Sequence, residues 1–388
     1  MTNLLVYADN NATTPIAPEV LEAMMPFLKE YYGNPSSMHN FGGQVHHHIE
    51  EAREKVAGLL GALPEEIIFT SCGTESDNTA IRGTLQGAYP ERRHIVTTRV
   101  EHPAVKNVCQ YLAGRGYRVT ELGVDSQGLL DLDELRKSLS DDTALVSIMY
   151  ANNETGVIFP IEDISRIVKE RGIPFHCDSI QAVGKIAIDL KKVPIDLLSL
   201  SGHKLHAPKG VGALYLRRGT KLTPFMIGGH QERGRRGGTE NVASIIGLGK
   251  ACELARQFIA EENTRVKKMR DRLEKGILKE IPNCRVNGHP EKRLHNTTSI
   301  SFEYVEGEAI LLSLSEVGIC ASSGSACTSG SLEPSYVLRA MGVPFTAVNG
   351  SVRFSLSRYN SEEDIDYIIA QLKVIIKRLR TISPFSFR

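Results

Sequence analysis

The chain lacks the marks of a secreted, membrane-spanning or nucleic-acid-binding protein. Its seven cysteines are scattered without regular spacing and odd in number, which argues against a disulfide framework and fits a reducing cytosol. No apolar run approaches the roughly 18 residues that a spanning helix requires. The first residues, Met-Thr-Asn-Leu-Leu-Val-Tyr-Ala-Asp, have neither the basic start nor the long apolar stretch of a secretory signal. Charge of one sign is also missing: 46 Lys and Arg stand against 45 Asp and Glu, a net charge of +1. The basic run Arg233-Gly234-Arg235-Arg236 is short, and no aromatic residue interleaves it. Binding to nucleic acid or to an anionic membrane is therefore not expected. A soluble cytoplasmic protein is.

At 388 residues the chain can bury a large core and is long for one compact unit, so two domains are expected. Helical spacing of apolar residues covers 17–31 and 44–60. From there short apolar runs alternate with helical patterns: Ile67–Thr70, His94–Thr98, Thr143–Tyr150 and Val211–Leu216 read as strands, with helices from about Glu75, near 103–114 and near 161–171. That alternation predicts a mainly parallel sheet covered on both faces. After about 240 a long helical stretch runs from Asn241 to about Glu280. Glu261-Glu262-Asn263 within it reads as a break between domains. Strands near 298–303 and 351–356, and helices near 307–315, 334–341 and 361–380, suit a smaller α+β unit.

The chemistry gathers on Lys204. It stands in Ser201-Gly202-His203-Lys204, just past the apolar run Ile195–Leu200, while His176-Cys177-Asp178 closes the run before. An acid at one strand end and a lysine past the next is what pyridoxal phosphate needs: the carboxylate keeps the pyridine nitrogen protonated and the amine holds the aldehyde. Desolvation and nearby cationic groups make such a lysine a better nucleophile. Thr70-Ser71-Cys72-Gly73-Thr74-Glu75-Ser76, between a strand and a helix, has small residues whose backbone N–H groups can meet a phosphate at the helix N-terminus. As a lone motif it would be an ordinary helix cap. His102, Asn153 and Gln181 are individually weak signals. Together they lie at predicted strand ends, where open α/β sheets bind ligands.

The chain resembles the class V aminotransferase superfamily and, within it, cysteine desulfurases of the NifS/IscS type. The likeness runs end to end. It rests on Asp9-Asn10-Asn11-Ala12-Thr13-Thr14-Pro15, Gly33-Asn34-Pro35-Ser36-Ser37, the 70–76 loop, Glu101-His102 and Asn152-Asn153-Glu154-Thr155-Gly156. It continues through His176-Cys177-Asp178, Ser201–Lys204, Ser325-Ala326-Cys327-Thr328-Ser329, Glu333-Pro334-Ser335 and Arg353-Phe354-Ser355-Leu356-Ser357-Arg358. The resemblance implies an α/β architecture, the pyridoxal-phosphate-dependent transferase fold type I. A large domain, residues 15–258, would hold a mainly parallel seven-stranded sheet. Residues 1–14 and 259–388 would form a smaller α+β domain carrying a mobile cysteine loop at about 320–332. It also implies a homodimer and pyridoxal 5′-phosphate held covalently by Lys204. His102 would stack on the ring, Asp178 would face the pyridine nitrogen, and Asn153 and Gln181 would lie near the ring hydroxyl. Gly73, Thr74, Ser201 and His203 would hold the phosphate, and Thr239 would reach the partner subunit's phosphate. Alanine is frequent before the family's equivalent of Thr74, and Gly73 is expected to be harmless there because the backbone makes the contact.

Cys327 completes the reading. Its surroundings are small and polar, as a nucleophile that must travel requires. Cys72, Cys109, Cys177, Cys252, Cys284 and Cys320 lack that setting and are assigned to packing. Lys204, Cys327 and His102 are the expected catalytic residues. Asn153 and Arg353 are expected to bind substrate, Arg353 through a bidentate fork on its carboxylate. The implied reaction converts L-cysteine to L-alanine, with sulfur left as a persulfide on Cys327 for an iron–sulfur scaffold protein. The long loop resembles that of the group whose persulfide is handed to an iron–sulfur scaffold, and the stretch from Tyr336-Val337-Leu338-Arg339-Ala340-Met341 through Ser357-Arg358-Tyr359 resembles the nitrogen-fixation branch. A transaminase of the same fold would have no use for Cys327. His46-His47-His48 and His203-x-x-His206 raise a metal reading, but consecutive helical histidines diverge. No metal of the chain's own is expected, apart from an iron–sulfur cluster that Cys327 could share transiently with a scaffold.

Overall fold

The structure, a computed structural model, describes residues 5–323 and 334–383. Twelve strands occur among them. They are β1 (Val6–Tyr7), β2 (Ile67–Thr70), β3 (His94–Thr98), β4 (Arg118–Leu122), β5 (Thr143–Ser147), β6 (Phe175–Asp178), β7 (Leu197–Ser201), β8 (Gly212–Leu216), β9 (Cys284–Asn287), β10 (Thr297–Phe302), β11 (Ile319–Cys320) and β12 (Ser351–Ser355). Seven make one sheet in the order β2-β8-β7-β6-β5-β3-β4. β8 alone runs against its neighbours, antiparallel to both β2 and β7. Six of these strands, β2, β3, β5, β6, β7 and β8, are buried at every position. Helices cover both faces, so apolar runs rather than alternation mark them in the sequence. β4 is the edge strand and mostly half-exposed. Its Arg-Val-Thr-Glu-Leu sequence gave no apolar run to read.

A three-stranded antiparallel sheet, β12-β10-β9, and the parallel pair β1-β11 form around a second core. That core takes Val6 and Ala8 from the start of the chain and otherwise only residues from Val266 onwards. The helical stretch from Asn241 to about Glu280 is continuous through 261–263. Val242–Glu261 passes into Lys267–Glu280 through a π-helical turn over Glu262–Val266. The polar run that suggested a boundary is accommodated by widening the helix, which turns Glu262 inward to 8 % exposure. Such insertions recur at functional sites. No helix among the described residues is long and apolar enough to cross a membrane.

Candidate active site

The carboxyl ends of β2, β3, β5, β6 and β7 open on one cavity of about 310 Å³. The segments leaving these strands supply Gly73 and Thr74, then His102, Asn153, Asp178 with Gln181, and Ser201 with His203 and Lys204. Asn11 and Ala12 close it from the N-terminal segment and Arg353 enters from β12. Ten of the twelve residues singled out from the sequence therefore share one cavity, by the list just given. Thr239 is exposed and does not line it. Cys327 lies outside the described residues.

Lys204 ends a short 3-10 turn directly after β7. Its Nζ donates to the carbonyls of Asn11 at 2.5 Å and Ala12 at 2.7 Å. The same Asn11 carbonyl accepts from Gln181 Nε2 at 3.0 Å. His102 caps the helix Pro103–Ala113, its Nδ1 accepting from Ala104 N at 3.1 Å. The capping bond keeps the proton of the neutral ring on Nε2. Burial, helped by the Lys204 charge, pushes the imidazole down to about 4, so His102 is neutral at ordinary pH. His203 is pushed to about 4 in the same way, by burial and then by Lys204, Lys209 and Lys185.

Asp178 ends β6 and accepts from Ile180 N at 3.0 Å. Burial, with Asp77 behind it, holds its carboxyl up at about 8. The fully buried Asp77 is itself raised to about 7 by burial. Its Oδ1 lies 3.5 Å from His176 Nε2, but burial pushes His176 down to about 4. Both groups favour their neutral forms, so the contact is polar and not an ion pair. His176 is held between Ser147 Oγ at 2.8 Å and Ser199 Oγ at 2.9 Å. A buried acid so raised is completed by a cation placed against it.

Two further features call for a ligand. The helix Gly73–Gly87 meets the cavity with no side chain capping its N-terminus, leaving donors and a positive dipole end facing inward. Ser201 Oγ and Asn153 Oδ1 are buried, line the cavity and lack hydrogen-bond partners among the described residues. Native structures rarely leave such atoms unsatisfied. Pyridoxal phosphate fits this set: a phosphate for the helix end and Ser201, a ring cation for Asp178, an aldehyde for Lys204. Gly73 is more than tolerated here. A Cβ on it would fall 2.2 Å from Ile180 Cδ1, so this chain fills with Ile180 the space an alanine would take.

Arg353 is buried in β12. Its Nη1 donates to Asn153 O at 2.9 Å and its Nη2 to Asp9 Oδ1 at 2.7 Å, which leaves part of the fork for a ligand. The described ends of the segment containing Cys327 are tied nearby. Ser322 exchanges backbone bonds with Arg353. On the other side Ser335 Oγ donates to Glu154 Oε2 and Tyr336 OH to Glu101 O, each at 2.5 Å.

Some participants were not legible. Cys72, assigned to packing, is half-buried and lines the cavity, because it stands in the turn between β2 and the helix. Cys284 and Cys320 are likewise only half-buried, whereas Cys109, Cys177 and Cys252 are buried. Asn11 acts through its carbonyl, for which a side chain gives no signal. Asp77 and Lys185 look like ordinary surface charges in the sequence. The clustered histidines share no site: His47 and His48 both turn to Glu51, at 3.3 and 3.1 Å.

Comparison with known proteins agrees with this geometry. The class-V aminotransferase family matches residues 6–368. A cysteine desulfurase of a Nostoc species is 62% identical over 98% of this chain and 95% of its own. The cysteine desulfurase NifS of Azotobacter vinelandii is 60% identical over 98% and 94%. Among solved structures, a NifS-like protein superposes with a TM-score of 0.92 at 42% identity, covering 97% of this chain and all, 100%, of that one. By family, fold and near-complete coverage, this chain belongs to the class-V aminotransferases and, within them, to the cysteine desulfurases.

Proposed function

We propose that the chain converts L-cysteine to L-alanine at this cavity and passes on the sulfur as a persulfide of Cys327. The observation that carries the proposal is the convergence of Lys204, raised Asp178, neutral His102 and the two unsatisfied atoms of Ser201 and Asn153 on one cavity. Pyridoxal phosphate, when bound, supplies an aldehyde for covalent attachment and a ring that draws electrons from the substrate. Lys204 would be the attachment point and a base for the α-proton. Asp178 would balance the positive charge of the ring nitrogen. Gly73, Thr74, Ser201 and His203 would hold the phosphate, and Asn153 and Gln181 would serve the ring hydroxyl. His102 would serve the ring, with a proton on Nε2 to give. Arg353, already oriented by Asp9, takes the substrate carboxylate.

Sulfur leaves as follows. The thiolate of Cys327 attacks the substrate sulfur, the carbon–sulfur bond breaks, and the electron pair and a proton pass to the carbon that becomes the alanine methyl. Cys327 keeps the extra sulfur. The anchoring of Ser322 to Arg353, and of Ser335 and Tyr336 to Glu154 and Glu101, supports delivery of that cysteine to this cavity. The domain division at 15–258 against 1–14 with 259–388, the homodimer with Thr239 serving the partner's phosphate, the iron–sulfur scaffold as acceptor and a cytoplasmic site of action all belong to the proposal. Equal amounts of sulfide and alanine from L-cysteine and a thiol reductant are the expected result. A yellow protein that yields neither product refutes it.

A further inference from the structure

A second lysine, Lys185, is as buried as the site residues, at 8 % exposure. Its Nζ donates to Gln181 O at 3.0 Å and to Gln181 Oε1 at 3.2 Å. An ammonium can only donate, so the oxygen of the Gln181 carboxamide must face Lys185. The amide nitrogen then faces the other way, where Nε2 donates to Asn11 O at 3.0 Å. Both ends of the amide are thus assigned by their partners. Gln181 lines the cavity, and the remaining hydrogen of its Nε2 makes it a donor there, not an acceptor.

We propose that Lys185 is a positioning residue, whose buried ammonium fixes the Gln181 carboxamide so that it offers the cavity an N–H donor. The inference rests on the cofactor reading above. Without the ammonium, the Asn11 carbonyl alone selects the orientation of the amide, and that carbonyl is shared with Lys204. One flip would turn a carbonyl towards the ring hydroxyl and disfavour its ionised form.

The π-helical turn explains how a lysine is kept at this depth. Its Asn263 donates from Nδ2 to Lys185 O at 3.0 Å. Its Glu262 supplies the negative charge that favours the ammonium. Burial pushes Lys185 down to about 7, and the Lys204 and Arg353 charges add to that. His203, His206 and His295 also feel its charge, and each is itself held down by burial. Glu262 opposes that loss of charge, and the two Gln181 oxygens that accept from Nζ favour the charged form with it.

The test is the pH midpoint of the cofactor's visible absorption in the holoenzyme, compared across variants of equal cofactor content. Lys185→Met is expected to raise that midpoint by about one unit, by removing a nearby cation and releasing the amide. Lys185→Arg, which keeps charge and donors, should restore the wild-type midpoint. In a Gln181→Leu background the effect of Lys185→Met should shrink, because the two residues act as one unit. A wild-type midpoint in folded Lys185→Met, or an undiminished shift without Gln181, overturns the inference. Should Lys185→Met not fold, Gln181→Glu carries the test. It keeps the lysine but faces the cavity with an acceptor, so its midpoint should rise, and an unmoved one overturns the inference. Wild-type protein without any visible band would overturn the proposed function and this inference together. A normal band with an unmoved variant overturns this inference alone.

Discussion

The two edges of the large sheet treat their polar groups in opposite ways. At the amino edge Arg217, Asp196 and His94 are committed to the protein. Arg217 gives Nε to Ile195 O and Nη2 to Leu190 O and Val193 O, at 2.8–2.9 Å. Asp196 accepts from Phe175 N at 2.9 Å, and His94 places its two nitrogens on Thr143 and Thr120 at 2.8 and 2.9 Å. At the carboxyl edge the cavity-lining Ser201 Oγ and Asn153 Oδ1 have no hydrogen-bond partner among the described residues. Asp178 has one backbone donor and a strongly raised carboxyl. The first set is satisfied within the protein. The second leaves polar atoms for a ligand, at a cost in stability that a ligand would offset.

If that contrast is right, substitutions at the two edges should fail in different ways. The largest effect is expected at Lys204→Ala, which should lose the borohydride-fixable cofactor and all desulfuration. Cys327→Ser should instead keep the visible band and lose only sulfur transfer. Next comes Asp178→Asn, expected to lower turnover by about a hundredfold or more while leaving the melting temperature of the cofactor-free protein unchanged or higher. At the amino edge Arg217→Ala should do the reverse. A loss of about 2 kcal/mol in chemical denaturation, with kcat preserved in the folded fraction, is the expected signature. A drop in kcat there would erase the distinction. Gly73→Ala, which crowds Ile180, should cost about 1 kcal/mol and weaken cofactor binding a few-fold.

The last effect is electrostatic. Asp178 binds its proton up to about pH 8 when folded, against an ordinary 3.8. Between these values the folded state holds the extra proton, so the contribution is full below 3.8 and is lost as pH rises to 8. Melting of the cofactor-free protein across that range should show this decline, and Asp178→Asn should flatten it. His102 and His203, held down at about 4, act with the opposite sign between about 4 and 6.5. Lys185, held down at about 7 against an ordinary 10.5, opposes the decline above about pH 7, so the decline should be clearest just above pH 6.5. Cofactor-bound protein, with a cation against Asp178, should not show it.

Much of the carboxyl edge was legible because the strands leading to it are apolar runs and the residues after them are chemically distinctive. Lys204 after Leu200 and Asp178 after Phe175 could be placed without a structure. The amino edge left almost no trace, since Arg217 serves backbone carbonyls and an arginine there reads as a surface charge. The same limit hid Asn11, whose carbonyl does the binding, and Lys185, whose meaning depends on a glutamine one turn away and on a π-helical turn from a distant helix. Half-exposed β4 had no apolar run to announce it. Local pattern reports which residues are buried together; it does not report which backbone atoms they face.

The pairing of the N-terminal segment with β12 also sets an order in time. Asn10 Nδ2 bonds Ser355 O, and Asn11 N bonds Ser355 Oγ, across separations of 345 and 344 residues. Asn11 is the residue that holds Lys204 and Gln181. During synthesis the large sheet can form early and Thr14 can already bond His203, but the bonds that fix Asn10 and Asn11 themselves wait until Ser355 has left the ribosome. A nascent chain can therefore own every strand of its sheet while one wall of its cavity still lacks its last ties.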